Sequence, residues 1–131
     1  MVLAGYVGNE LLRAYSRFGI SVPEWRVITI TAARPGISAN EVATRVQLDE
    51  IAVHRAVTSL VRRGLLRRST DAADRRRKLL QLTASGKVTY RAIIPLAREF
   101  EQWMLAKLPR NEQKNLGVVL RKLCKRLQLV P

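Results

Sequence analysis

The sequence predicts a mainly α-helical fold carrying one β-hairpin, and three observations lead there. Apolar residues recur at helical spacing through most of the 131 residues. Helix start and stop signals punctuate those stretches at short intervals. One segment alone breaks the pattern: "LLRRST" and "KLLQL", two short apolar-rich runs, are joined by the charged "DAADRRR".

Taken in order, residues 2–18 place Leu3, Tyr6, Val7, Leu11, Leu12 and Tyr15 at helical spacing, and Gly19 is a stop. Pro23 and Glu24 read as the first turn of a helix over about 23–33, since proline loses nothing at the first helical position and glutamate suits the positive helix end. Pro35-Gly36 ends it. "SANE" at 38–41 has the form of a capping box, Ser38 and Glu41 each serving the other's amide. A short helix follows, then a tight turn at Gln47-Leu48-Asp49, with Asp49 as N-cap of a helix running to Arg63. Gly64 is the stop signal. The hairpin comes next. "TASGK" opens a long helix from about 84 to Leu108, kinked and not ended by Pro95. After Pro109 a last amphipathic helix covers about 111–127. This order describes one domain, residues 1–131. Its central part, 21–84, is a winged helix-turn-helix, flanked at 1–20 and 85–131 by N- and C-terminal helices that are expected to dimerise.

Composition narrows the function. Hydrophobic residues make up 47% and aromatics 5%, enough for a core built mostly from Leu, Val, Ile and Ala. Lys and Arg number 24 against 10 Asp and Glu, a net charge of +14. Self-repulsion of that size opposes compaction, and a polyanion relieves it. Nucleic acid is the leading partner, with an anionic membrane surface as competitor. Cys124 is the only cysteine, which excludes an intrachain disulfide framework and fits a reducing compartment. No signal-peptide pattern is present, and no apolar run approaches the roughly 18 residues of a membrane span. The expectation is a soluble, cytoplasmic protein that does not act on membranes. An enzyme is not expected: the one histidine, His54, has no partner for nucleophilic catalysis, and no metal-ligand cluster or phosphate loop is seen. No cofactor is expected either.

The helix after Asp49 divides cleanly by face. At about 100° per residue, Val53, Val57, Leu60 and Val61 fall on one side, which should be buried. Ile51, His54, Arg55, Thr58 and Arg62 fall on the other. A forked guanidinium can pair with guanine O6 and N7, and an apolar group can touch a thymine methyl. Presented after a short helix and a turn, such a face suits the major groove of double-stranded DNA. Arg62 and Arg63, with Ser38, are expected on phosphates. The hairpin tip, Arg75 to Arg77, would reach the adjacent minor groove. Asp74 is expected to accept hydrogen bonds from backbone amides or a neighbouring arginine and so aim the tip. Two other readings stay open: a winged-helix module that binds protein, and a non-specific or architectural DNA binder held by charge.

From "SVPEWRVI" through "ISANEVATRVQLDEIAVHRAVTSLVRRGLLRRSTDAADRRRKLLQLTASGK", and again at "LPRNEQKNLGVVLRKL", the chain resembles the MarR family of bacterial transcriptional regulators. The most specific pieces are "LVRRGLLRR", "D-x-x-D-R-R" and "LTASG", in that order. The resemblance implies a homodimer with intertwined terminal helices, bound to an imperfect palindrome, usually as a repressor released by a small ligand. It implies that Asp74 orders the wing, that Arg76 enters the minor groove and that Arg55 contacts DNA. Ala52 occupies a position where relatives often carry a DNA-binding serine or threonine. The full DNA-facing set is Ser38, Ile51, Ala52, His54, Arg55, Thr58, Ser59, Arg62, Arg63, Asp74, Arg75, Arg76 and Arg77. Family effectors are often aromatic acids; Tyr15, Trp25 and Arg26 are the residues that could line a pocket for an aromatic or anionic one.

Association follows from the residues as well. Leu116, Val119, Leu120, Leu123 and Leu127 form a stripe too apolar to leave in water. The segment 93–108 adds Ile93, Phe100, Trp103 and Met104. A twofold dimer would space the two reading helices about 34 Å apart, one turn of DNA.

Overall fold

A computed structural model describes residues 2–46 and 48–128. The helices are α1 (Val2–Ser16), α2 (Val22–Ala33), α3 (Ala39–Val46), α4 (Glu50–Arg62), α5 (Ala84–Leu105) and α6 (Arg110–Arg126), and the strands are β1 (Ile37–Ser38), β2 (Leu66–Thr70) and β3 (Lys78–Leu82). Gln47, part of the expected tight turn, lies outside the described residues.

Local chemistry sets most helix starts. The Ser38–Glu41 box forms as expected: the Ser38 amide donates to Glu41 Oε2 at 2.9 Å and the Glu41 amide to Ser38 Oγ at 3.3 Å. A second box forms one helix earlier. The Ser21 amide donates to Glu24 Oε2 at 2.8 Å and the Glu24 amide to Ser21 Oγ at 3.3 Å, so α2 starts at Val22. In the sequence Pro23 and Glu24 alone point to this start, and the Ser21 half of the box emerges with the structure. Asp49 caps α4 by accepting from the Ala52 amide at 2.8 Å. Thr83 caps α5, accepting from the Gly86 amide at 3.0 Å while its hydroxyl donates to the Gly64 carbonyl at 2.6 Å.

Two glycines are required where α4, β2 and α5 meet. Gly64 takes φ +71°, the left-handed turn that lets the chain reverse into β2. At Gly86 a Cβ would lie 2.0 Å from the Leu65 carbonyl oxygen, so only glycine lets α5 seat against that backbone.

The hairpin pairs Leu66 with Leu82 through Thr70 with Lys78. The structure adds a strand to the expected pair: β1 lies antiparallel to β3, Ile37 opposite Leu80, giving the order β1-β3-β2. Two residues are too few to show a period-two pattern. The extra strand anchors the start of α3 to the wing.

Val27, Ile28, Val42, Val53, Val57, Leu60, Leu80 and Ile93 are fully buried between α2, α3, α4, the sheet and α5. Tyr15 stacks on Trp25 at 5.1 Å between ring centroids, and Trp25 on Tyr90 at 5.8 Å, which joins α1, α2 and α5. The helix α5 continues through Pro95, as read, but stops at Leu105, three residues short of Leu108. There the Gln113 side chain donates through Nε2 to the carbonyls of Leu105 and Leu108 at 2.9 and 2.8 Å, satisfying groups a helix end leaves open. No residue of α6 is buried in the single chain.

Candidate nucleic-acid interface

The outer side of α4 lies as its spacing predicts. Glu50, Ile51, His54, Arg55, Thr58 and Arg62 line one shallow groove of about 500 Å³, while Val53, Val57 and Leu60 are buried beneath it. Ile51 is 66% exposed, an apolar side chain left in water beside two arginines. The strand β2 contributes a cation that the sequence reading did not select. Arg68 Nη2 donates to Thr58 Oγ1 at 3.1 Å, extending the basic face from helix to sheet.

The wing tip is organised by its aspartates. Asp74 Oδ1 accepts from the Arg76 amide at 3.0 Å and Asp71 Oδ1 from the Ala73 amide at 2.9 Å. Backbone bonds between Asp71 and Arg77 and between Arg77 and Asp74 close the loop. The three tip arginines part company. Arg77 turns inward, its Nη2 at 2.7 Å from Glu41 Oε2 and its Nη1 at 3.8 Å from Asp71 Oδ2. Arg75 and Arg76 stay exposed, with no ion pair among the described residues. The hydrogen bonds from Ser38 and the Arg77 guanidinium hold the Glu41 carboxyl down at about 2, from an ordinary 4.5. The wing is thereby latched to the start of α3.

Between that latch and α4 runs a second groove of about 480 Å³, lined by Asn40, His54, Asp74, Arg76 and Lys78 among others. His54 borders both grooves, so the α4 face and the wing form one surface.

Several expected contacts are placed otherwise. Ser38 borders the second groove, but it is only 9% exposed and its hydroxyl is engaged with Glu41 at 2.9 Å as the α3 cap. Ser59 faces α2: its hydroxyl donates to Glu24 Oε1 at 2.6 Å. Arg63 also leaves the DNA-facing side. Its guanidinium donates to the carbonyls of Gly19 and Phe18 at 2.8 and 3.3 Å and reaches Glu24 Oε2 at 3.5 Å, closing the α1–α2 turn. Ala52 is half-buried in the first turn of α4, where it supplies the amide that Asp49 caps. Tyr15 and Trp25 are 5% and 7% exposed and fill the core as a stack, so they do not line an open pocket in the single chain. Burial pushes the Tyr15 phenol up, with the charge of Arg26 working against it. Arg26 is exposed and caps the end of α3, its Nη1 at 3.3 Å from the Val46 carbonyl.

A two-helix reading head with a β-wing, basic along both parts, defines a DNA-binding protein of the winged helix-turn-helix class. The MarR family model matches residues 18–77. The transcriptional regulator BilQ of Clostridium symbiosum is 32% identical over 82% of this chain and 74% of its own length. The repressor NicR of Pseudomonas putida is 28% identical over 89% of this chain and 81% of its own. Among solved structures, the PcaV transcriptional regulator of Streptomyces coelicolor, crystallised with its natural ligand, superposes with a TM-score of 0.76 at 28% identity, covering 94% and 89% of the two chains. The chain belongs to the MarR family of transcriptional regulators. These relatives are regulators and not enzymes, and among the described residues no helix is long and apolar enough to cross a membrane.

Proposed function

We propose that the protein is a cytoplasmic homodimeric repressor that binds a pseudo-palindromic operator and releases it when a small ligand binds. The observation that carries this reading is the single surface running from Ile51 through His54 to Arg76, in which a groove-sized helix face adjoins a latched, basic wing. In this reading Ile51, His54, Arg55 and Thr58 meet base edges, Arg62 and Arg68 hold phosphates, and Arg76 enters the minor groove beside them. The dimer is supported by the apolar side chains left uncovered in one chain: Trp103 is 62% exposed, and Leu116, Val119, Leu120, Leu123 and Leu127 of the last helix are all exposed. Residues 1–20 and 85–131 are the dimerisation part, and 21–84 the reading part. NicR is named a repressor and PcaV was crystallised with a natural ligand, which supports repression and release here.

The test is fluorescence-anisotropy binding to the protein's own promoter region and to a shuffled duplex of equal length, across a salt series. A preference of about a thousandfold or more, with affinity falling steeply as salt rises, is expected. Equal affinity for the two duplexes would leave an architectural binder. No binding to either would leave a protein-interaction module. Sedimentation at micromolar concentration reads the dimer directly.

A further inference from the structure

Thr58 lies midway along the exposed face of α4, in the groove it shares with His54 and Arg55. A threonine hydroxyl carries one proton and two lone pairs. Left to rotate, it offers a base either a donor or an acceptor, and so reads little by itself. Threonines in other helices use that proton internally: Thr29 donates to the Arg26 carbonyl at 3.0 Å and Thr44 to the Asn40 carbonyl at 3.1 Å. Among the described residues Thr58 makes no such bond. Its hydroxyl oxygen instead accepts from Arg68 Nη2 at 3.1 Å.

Arg68 reaches Thr58 from a fixed strand. It lies opposite the fully buried Leu80 in the β2–β3 ladder, and ten residues of sequence separate it from Thr58. A guanidinium N–H on one lone pair changes what the hydroxyl can do. The proton is turned away from the cation, and the exposed side of Thr58 is the groove. The O–H is polarised, which makes it a stronger donor. A second donor approaching the same oxygen meets a cation already in place. A guanidinium has five N–H groups, so Arg68 can serve Thr58 with one and hold a phosphate with others.

We propose that Arg68 is a positioning residue: it fixes Thr58 as a hydrogen-bond donor, and the pair excludes cytosine at the base that Thr58 faces. In the major groove guanine, adenine and thymine each present an acceptor, whereas cytosine presents only its N4 amino donor. A donor set against a donor leaves both unpaired once water is displaced, and that mismatch carries the discrimination. The assignment presupposes the operator reading, since it concerns a base contact of the same face. It adds that a wing strand sets what the reading helix accepts.

The experiment is selection of bound duplexes from a randomised pool by the full chain, with the bound fraction sequenced. The unchanged protein should enrich a motif in which one position of each half-site excludes cytosine by about tenfold. Thr58→Val keeps the branched shape and removes the hydroxyl; it should admit cytosine at that position and leave the rest of the motif as it was. Arg68→Met, also at an exposed site, should admit cytosine at the same position. Arg62→Ala supplies the contrast, since losing a phosphate contact weakens all sequences alike and leaves the motif intact. Three results would each overturn the assignment alone: an Arg68→Met motif identical to that of the unchanged protein, an even loss over all sequences as in Arg62→Ala, or relaxation at a position that Thr58→Val leaves untouched. A pool that yields no motif with the unchanged protein overturns the operator reading and this assignment together.

Discussion

Replacing Glu24 with alanine removes the carboxylate on which the α1–α2 turn and the end of α4 converge. Glu24 is 7% exposed and accepts from the Ser21 amide at 2.8 Å, the Ser59 hydroxyl at 2.6 Å and the Arg63 guanidinium at 3.5 Å. Its half of the capping box contributes about 0.5–1 kcal/mol. A charge-assisted hydrogen bond such as that from Ser59 is worth about 1.5–3 kcal/mol; the half-buried hydroxyl can recover some of it from water, so the lower end applies. The Arg63 contact is long, and more than a third of that side chain is exposed, so it adds well under 1 kcal/mol. Glu24→Ala should therefore lose about 2–3 kcal/mol, a fall in melting temperature on the order of 10 °C at fixed protein concentration. A double-mutant cycle with Ser59→Ala isolates the bond across 35 residues of sequence. Urea denaturation of the four proteins should give a coupling of about 1.5 kcal/mol. Coupling below about 0.3 kcal/mol would refute the claim that this pair ties α2 to the reading helix.

Arg62 and Arg63 should separate in opposite assays. Arg62→Ala is expected to reduce the salt slope of DNA binding by about one unit with little change in stability. Arg63→Ala should lower stability by about 1–2 kcal/mol, since it releases two carbonyls and Glu24, while the slope stays put. In the wing, Arg76→Ala should weaken DNA binding by about tenfold without shifting the melting curve; unchanged affinity would remove the wing from the interface. The Glu41 latch predicts a pH dependence. Its carboxyl titrates at about 2 in the folded chain against an ordinary 4.5, so its contribution is complete above 4.5 and lost as pH falls toward 2. Glu41→Gln should flatten the acid side of the stability–pH curve in that window, and a curve parallel to that of the unchanged protein would contradict the latch.

What the sequence made legible is what short-range chemistry decides. The Ser38–Glu41 box, the Asp49 cap and the Gly64 reversal each depend on residues at most a few positions apart. Helical spacing alone separates the buried Val53, Val57 and Leu60 from the exposed Ile51, His54 and Arg55. The box at Ser21 and Glu24 was equally local and was open to the same reading.

Spacing fails where a side chain's direction is chosen by a distant partner. Thr58 and Ser59 are neighbours with similar hydroxyls, yet one meets Arg68 of the wing strand and the other Glu24 of α2. Arg63 looks like a second phosphate clamp beside Arg62 until the positive-φ turn at Gly19 brings two carbonyls within its reach. Arg75, Arg76 and Arg77 are indistinguishable by type, and the carboxylates of Glu41 and Asp71 draw only the third inward. For Arg63 and Arg77, carboxylates or carbonyls from elsewhere in the chain hold a cation that spacing alone would leave for DNA. Glu24, which pairs with Arg63, and Glu41, which pairs with Arg77, thus do more than fasten helices. With Arg63 and Arg77 so engaged, the cations left for DNA in the proposed reading are Arg55, Arg62, Arg68, Arg75 and Arg76. Glu41, through Arg77, ties the wing that carries Arg76 to the start of α3.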